Sequence, residues 1–295
     1  MNQLEIRYHF LLQFADWSQL KNMTNDDRVR LVSKIIISGK NETSWGALQE
    51  LFSSWQDNPS RKQGFEIAEG LLADWKEEDR TIYSSTKSIF QTDKLVPFTL
   101  LARKICINRR EGNGNQELVM IASSPYAKNI SQLVIDRSEI YIEGISSLVQ
   151  SSWMTKLSSI LFNGISLLPS MFETLINSRG LIQLRSLTLS NCGINAERVR
   201  QFTISTMAGQ LETLNFSRNT IGDEGAFVIA KASTLAKLKR LDVSKNFIGD
   251  AGAVALAGSV ILENLEELRL SGNTIYHSGE LQRQVPEGKK RSIYI

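Results

Sequence analysis

Two histidines, His9 and His277, and two cysteines, Cys106 and Cys192, are the side chains of this 295-residue chain best suited to nucleophilic, acid–base or metal chemistry. They do not assemble into a constellation. The histidines stand at opposite ends of the sequence, and no Cys/His spacing matches a zinc site. Gly112-Asn113-Gly114 lacks the third glycine and the preceding strand of a dinucleotide loop, and no Gly-Lys-Ser/Thr phosphate loop occurs. That segment reads as a turn between domains. Gly222, Gly225, Gly249 and Gly252 open helical stretches as phosphate-binding glycines do, but their recurrence points to a structural duty. The expectation is a protein without catalytic residues, metal or cofactor.

Composition narrows the partners. The net charge is only +3, so no strongly basic body is available for nucleic acid. The cluster Lys289-Lys290-Arg291 reads as a solvated tail. The first ten residues mix polar and charged side chains where a signal peptide needs an unbroken apolar run. No stretch reaches the length of about 18 apolar residues that suggests a membrane span. Two widely separated cysteines make no disulfide framework and suit a reducing compartment. Asn41, Asn129 and Asn215 lie in glycosylation sequons, but none of them implies secretion. A cytoplasmic location is expected, with export lacking a cleaved signal as the alternative.

The informative pattern is a repeat. Asn219-Thr-Ile-Gly-Asp-Glu-Gly returns as Asn246-Phe-Ile-Gly-Asp-Ala-Gly, and the same 27-residue step reaches Asn273, Cys192, Ile165 and Ser138. Each anchor closes one apolar frame, as in Leu238, Leu241, Val243, Asn246, Ile248. The residues before the anchor alternate like a short strand, whereas Ala253, Leu256 and Ala257 after it have helical spacing. Asp223 and Asp250 precede these helical stretches and suit N-caps. Each rung is strand, turn, helix, and six rungs share one register. Such a unit buries its apolar faces only by stacking on its neighbours.

Leu-x-x-Leu-x-Leu-x-x-Asn/Cys-x-Ile resembles the leucine-rich repeat signature, and the trailing Gly-Asp-x-Gly-Ala is similar to the ribonuclease-inhibitor-type subfamily. The resemblance covers about residues 128 to 280. It implies an α/β solenoid, a horseshoe with parallel strands on the concave side and helices on the convex side. It also implies an inward ladder of Cys192, Asn219, Asn246 and Asn273 bonding the turns. Ser138 and Ile165 depart from that ladder, so the N-terminal rungs should be less regular.

Residues 1–105 show helical spacing and caps instead and are expected to form a small all-α domain. Thr24 precedes one apolar run, Ser44 a second and Pro59 a third. Trp17, Trp45, Trp55 and Trp75 are assigned to its core. Phe14-Ala-Asp-Trp17 and Leu72-Ala-Asp-Trp75 resemble a short helical motif that accompanies these repeats in some bacterial proteins, which favours a bacterial source. Residues 106–280 form the repeat domain, opening on a degenerate rung whose strand half fails near Glu111. Residues 281–295 form a tail, in which Arg291-Ser-Ile-Tyr-Ile295 alternates like a strand and could cover the exposed edge.

In the resembled family, outward strand residues line the concave face. One column is Gln132, Ser159, Ser186, Thr213, Arg240, Glu267; its neighbour is Val134, Leu161, Thr188, Asn215, Asp242, Arg269. Arg137, Gly164, Asn191, Arg218, Lys245 and Gly272 form another. Arg218, Arg240, Asp242, Lys245, Glu267 and Arg269 therefore make a mixed-sign patch about 15 Å across. The expected function is a non-enzymatic scaffold that binds a protein partner there, with oligomeric state left open. The resemblance allows two further readings: a small-GTPase regulator of the repeat family's GTPase-activating type, or a bacterial effector that seizes a host protein.

Overall fold

The computed structural model describes residues 23–55, 59–83, 99–108 and 113–295. His9, Trp17, the Phe14–Trp17 segment, Glu111 and Gly112 lie outside them. The chain divides into two compact units, Met1–Ile105 and Cys106–Ile295.

In the first unit, helix α1 (Asn25–Ser38) starts at Thr24, whose Oγ1 accepts from Asp27 N at 3.2 Å. Leu31, Val32, Ile35 and Ile36 recur at helical spacing and are buried. Helix α2 (Glu42–Ser53) is capped by Asn41, which accepts from Ser44 N at 2.9 Å, so it begins before the Ser44 expected from sequence. Proline, whose missing N–H costs nothing in a first turn, opens α3 (Pro59–Leu71). Trp45, Trp55 and Trp75 are 5%, 2% and 5% exposed, and they pack in the core. Their polar edges are satisfied where the structure shows them: Trp45 Nε1 donates to Thr81 O and Trp55 Nε1 to Asn25 Oδ1. A short strand, β1 (Thr81–Tyr83), accompanies these helices.

The strand half placed near Glu111 and judged to fail does exist earlier in the chain. Strand β2 spans Lys104–Asn108 with Ile105 and Ile107 buried. Ile105 and Ile107 precede Leu133 and Ile135 by one residue more than the repeat step, so strict stepping turns the wrong face inward. Helix α4 (Gly114–Ala122) follows, burying Leu118, Ile121 and Ala122.

The repeating strands are β3 (Gln132–Asp136), β4 (Ser159–Asn163), β5 (Ser186–Ser190), β6 (Thr213–Asn215), β7 (Arg240–Asp242) and β8 (Glu267–Arg269). They pair side by side and in parallel, each residue partnered with the one a full repeat further on. Helices α5 (Ile142–Val149), α6 (Pro169–Ile176), α7 (Ala196–Thr203), α8 (Gly222–Lys231) and α9 (Asp250–Ala257) alternate with them. Leu187, Leu214, Leu241 and Leu268 point inward and are at most 1% exposed, sealing the strands onto the helices.

The ladder residues bond rung to rung. Asn219 Oδ1 accepts from Cys192 N and Ile194 N, both at 3.0 Å, while its Nδ2 donates to Leu189 O and Phe216 O. Asn246 accepts from Ile221 N, and Asn273 accepts from Asn246 N and Ile248 N. Each amide satisfies both donors and acceptors that the turn would otherwise bury unpaired. The regularity expectation is reversed in one respect: β3, β4 and β5 are five residues long, and β6, β7 and β8 are three.

The caps also differ from the sequence reading. Asp223 and Asp250 do not cap their own helices; they cap the next rung. Asp223 Oδ1 accepts from Gly249 N at 2.7 Å and Gly252 N at 3.0 Å, the first donors of α9. Asn115 does the same for Tyr141 N and Gly144 N at the start of α5. Gly252 is required for this approach, because a Cβ there would sit 2.5 Å from Asp223 Oδ1. Gly249 and Gly252 thus make room for Asp223 of the preceding rung, whereas a Cβ at Gly225 would meet Ile221 of its own rung.

After β8 the chain forms a 3-10 turn (Ser278–Gln284) and strand β9 (Ser292–Tyr294), which pairs in parallel with β8. Arg291 is not part of a solvated tail: it is 3% exposed. Its guanidinium donates to the carbonyls of Leu256, Ala257, Ser259 and Leu262, the loose acceptors at the C-terminus of α9 and the loop beyond it.

Candidate docking face

On the exposed side of the sheet, pairing aligns Ser159, Ser186, Thr213, Arg240 and Glu267 in one row and Leu161, Thr188, Asn215, Asp242 and Arg269 in the next. Alternation turns these side chains away from the leucines, because successive strand residues face opposite sides. Arg240, Asp242, Glu267 and Arg269, with Thr188, Thr213 and Asn215, surround a shallow depression of about 160 Å³. Four of the six expected site residues therefore converge. Arg218 and Lys245 do not line the depression; they stand on the turns that follow β6 and β7.

The charges are ordered. Arg269 Nε bonds Glu267 Oε1, and its guanidinium carbon lies 5.6 Å from the Tyr294 ring centre. The Glu267 hydrogen bond raises the Arg269 pKa above its ordinary value. Asp242 accepts from Asn215 Nδ2 at 3.3 Å and from Ser244 N at 2.9 Å. Behind the patch, Lys239 Nζ holds Glu212 Oε2 at 2.9 Å and lowers the pKa of that carboxyl.

Tyr294 is a member of this face that sequence reasoning missed. It pairs with Arg269 through β9, yet it falls two residues short of the repeat step and so lies outside the frame. The alternation of residues 291–295 was its visible signal. The turn column carries a second feature: Arg137, Gly164, Asn191, Arg218, Lys245 and Gly272 all have positive φ, between 49° and 71°. Each N–H from Arg137 to Lys245 along that column donates to a carbonyl of the next rung. Glycine or asparagine fits this conformation at least cost, so arginine and lysine there are notable.

A larger hollow of about 770 Å³ lies on the helix side, between α7 and α8, and includes Ile204 and Phe227. Arg200 in its lining is bonded to Glu197 and Glu224, whereas Lys231 makes no ion pair among the described residues. Among the described residues no group of His, Cys, Asp or Glu could hold a metal ion, and no helix is long and apolar enough to cross a membrane. Cys192 is buried, its Sγ donating to Ser190 O at 3.2 Å, and burial pushes its pKa up to about 11. It is a packing group, not a nucleophile.

Stacked strand–turn–helix units with an internal amide ladder define a parallel α/β solenoid. Residues 211–230 and 234–257 match the family model described as Leucine Rich repeat, and the chain carries leucine-rich repeats together with a helical N-terminal region. No curated protein matches it in sequence. Among solved structures it is similar to an internalin, InlF, of Listeria monocytogenes, at 19% identity and a TM-score of 0.42 over 69% of this chain. The match covers 57% of InlF, so the chain spans a little over half the length of that protein. Internalin C2 of the same organism aligns at 20% identity, TM-score 0.37, over 63% of this chain and 86% of its own. Listeria InlP aligns at 14% identity, TM-score 0.35, over 68% and 59%.

Proposed function

We propose that this protein is a non-enzymatic binding module that holds a protein partner on the sheet face of its repeats, at Arg240, Asp242, Glu267 and Arg269 with Arg218 and Lys245 beside them. The observation carrying this reading is the register of β6, β7 and β8, which brings four charged side chains from two rungs around one depression. A row of rigid strands presents such groups with little ordering cost on binding, and mixed charge fixes the partner's register more than it adds affinity. The larger hollow on the helix side presents one charge outside an ion pair, Lys231, and is the competing surface. Two unbridged cysteines are compatible with a reducing, cytoplasmic setting.

The test is capture of partners by the intact chain and by an Arg240→Glu/Arg269→Glu variant. The charge reversal is expected to abolish capture of a protein that Ile204→Glu, on the helix side, still retains. Equal capture by all three forms would remove the sheet face from consideration.

A further inference from the structure

The carboxylates of the sheet face are engaged within the molecule. Asp136 accepts from Asn163 Nδ2 at 2.6 Å, Asp242 from Asn215 and Ser244, and Glu267 from Arg269. The cations are not balanced in the same way. Arg218, Arg240 and Lys245 are exposed, and none makes an ion pair among the described residues. Glu212, a carboxylate on which Arg240 also acts, is already bonded to Lys239. With four cations, Arg218, Arg240, Lys245 and Arg269, against the two carboxylates Asp242 and Glu267, the patch carries net positive charge.

Backbone geometry gives an independent sign. Arg218 and Lys245 have φ of 60° and 55°, at turn positions filled elsewhere by Arg137, Gly164, Asn191 and Gly272. The fold alone favours glycine or asparagine there, so the long cations serve something besides the turn. Two residues beyond Lys245, Phe247 also has positive φ, at 59°, and is 70% exposed. Its counterpart Gly193 shares the conformation at 73°, whereas Thr220 and Thr274 are not among the positive-φ residues. A bulky residue in this region is a genuine outlier, and here it holds an apolar ring in water two residues from Lys245.

Resting on the docking face proposed above, we infer that the partner presents an acidic protein segment carrying an apolar side chain. Its carboxylates meet Arg218, Arg240 and Lys245, and its apolar group rests on Phe247. Nucleic acid would offer anions and stacking surfaces too. Asp242, Glu267 and Glu212 nevertheless stand in or beside the same strands and oppose a continuous phosphate backbone, whereas a protein can place its acidic groups between them.

Fluorescence anisotropy of the intact chain tests this with three probes: a short glutamate-rich peptide containing leucine and phenylalanine, the same peptide with lysine for glutamate, and single-stranded oligothymidylate. The glutamate peptide is expected to bind, to weaken as salt rises, and to outbind both other probes. Arg218→Asn and Lys245→Asn should each weaken it about tenfold, with the melting temperature unchanged or raised, because asparagine accepts the turn conformation. Lys231→Asn, an exposed change at the end of α8 on the helix side, serves as the control. Failure of the glutamate peptide to bind, equal binding of the lysine peptide, tighter binding of the DNA, or indifference to the asparagine variants would each overturn the inference. Partner capture that depends on Arg240 and Arg269 but survives Arg218→Asn/Lys245→Asn would overturn it while leaving the sheet-face reading intact.

Discussion

Asn246 has no exposed surface, and its amide accepts from one backbone N–H and donates to two carbonyls in and between rungs. Replacing it with alanine leaves Ile221 N without its acceptor, at about 1–3 kcal/mol, and takes one of two donors from Phe216 O and from Ser244 O, so Asn246→Ala should lower unfolding free energy by about 2 kcal/mol in urea denaturation. Asp250 and His277 offer a second residue-scale test. Their 2.8 Å contact raises the His277 pKa above its ordinary 6.5, with Glu280 adding to the effect. Backbone and side-chain hydrogen bonds from His277 hold Asp250 below its ordinary 3.8. The raised histidine stabilises the fold fully below about pH 6.5, and that part is lost as pH rises through the raised value. The lowered carboxylate stabilises above pH 3.8, and that part is lost as pH falls through the lowered value. NMR titration should place the His277 midpoint above 6.5 and move it downward in Asp250→Asn, since asparagine keeps the backbone acceptor, as Asn115 does natively, but not the charge.

Rungs behave as elements whose glycines and caps belong partly to their neighbours. Gly252→Ala improves helix propensity yet forces a Cβ against Asp223, Ile248 and Ala226, so it should destabilise by about 2 kcal/mol. Gly46→Ala, at an exposed helical position with no atom within 4 Å, should stabilise by about 1 kcal/mol. Thermal melts of the two variants shift in opposite directions if this account of the glycines holds. The contrast also indicates what sequence could reveal. The strand frame and the inward Asn positions were legible because a fixed period marks them directly. The caps were not, because Asp223 and Asp250 precede helices as ordinary N-caps do, and only stacking shows their bonds running to the next rung. β2 and Tyr294 escaped for a related reason: one lies just beyond the common step from its partner and the other just short of it.

For the whole molecule, repeats that contact mainly their neighbours make stability a sum of rung and interface terms. Arg291 ties β9 and the preceding turn to α9 through the carbonyls of Leu256, Ala257, Ser259 and Leu262, so its loss should act on the last rungs first. Arg291→Ala is expected to cost about 3 kcal/mol and to open amide exchange in Leu265–Leu270 before Leu184–Leu189. The charge pattern was only half legible at this scale. Sequence placed Arg218, Arg240, Asp242, Lys245, Glu267 and Arg269 in adjoining columns, but which charges neutralise one another depends on bonds such as Arg269 to Glu267 that composition does not encode. The most direct test of the central claim is hydrogen–deuterium exchange of the intact chain with and without a partner recovered by capture. Protection confined to residues 211–218, 238–245 and 265–272 is the outcome predicted. Protection across α7 and α8, around Ile204 and Phe227, with the strands and their turns unchanged would contradict it.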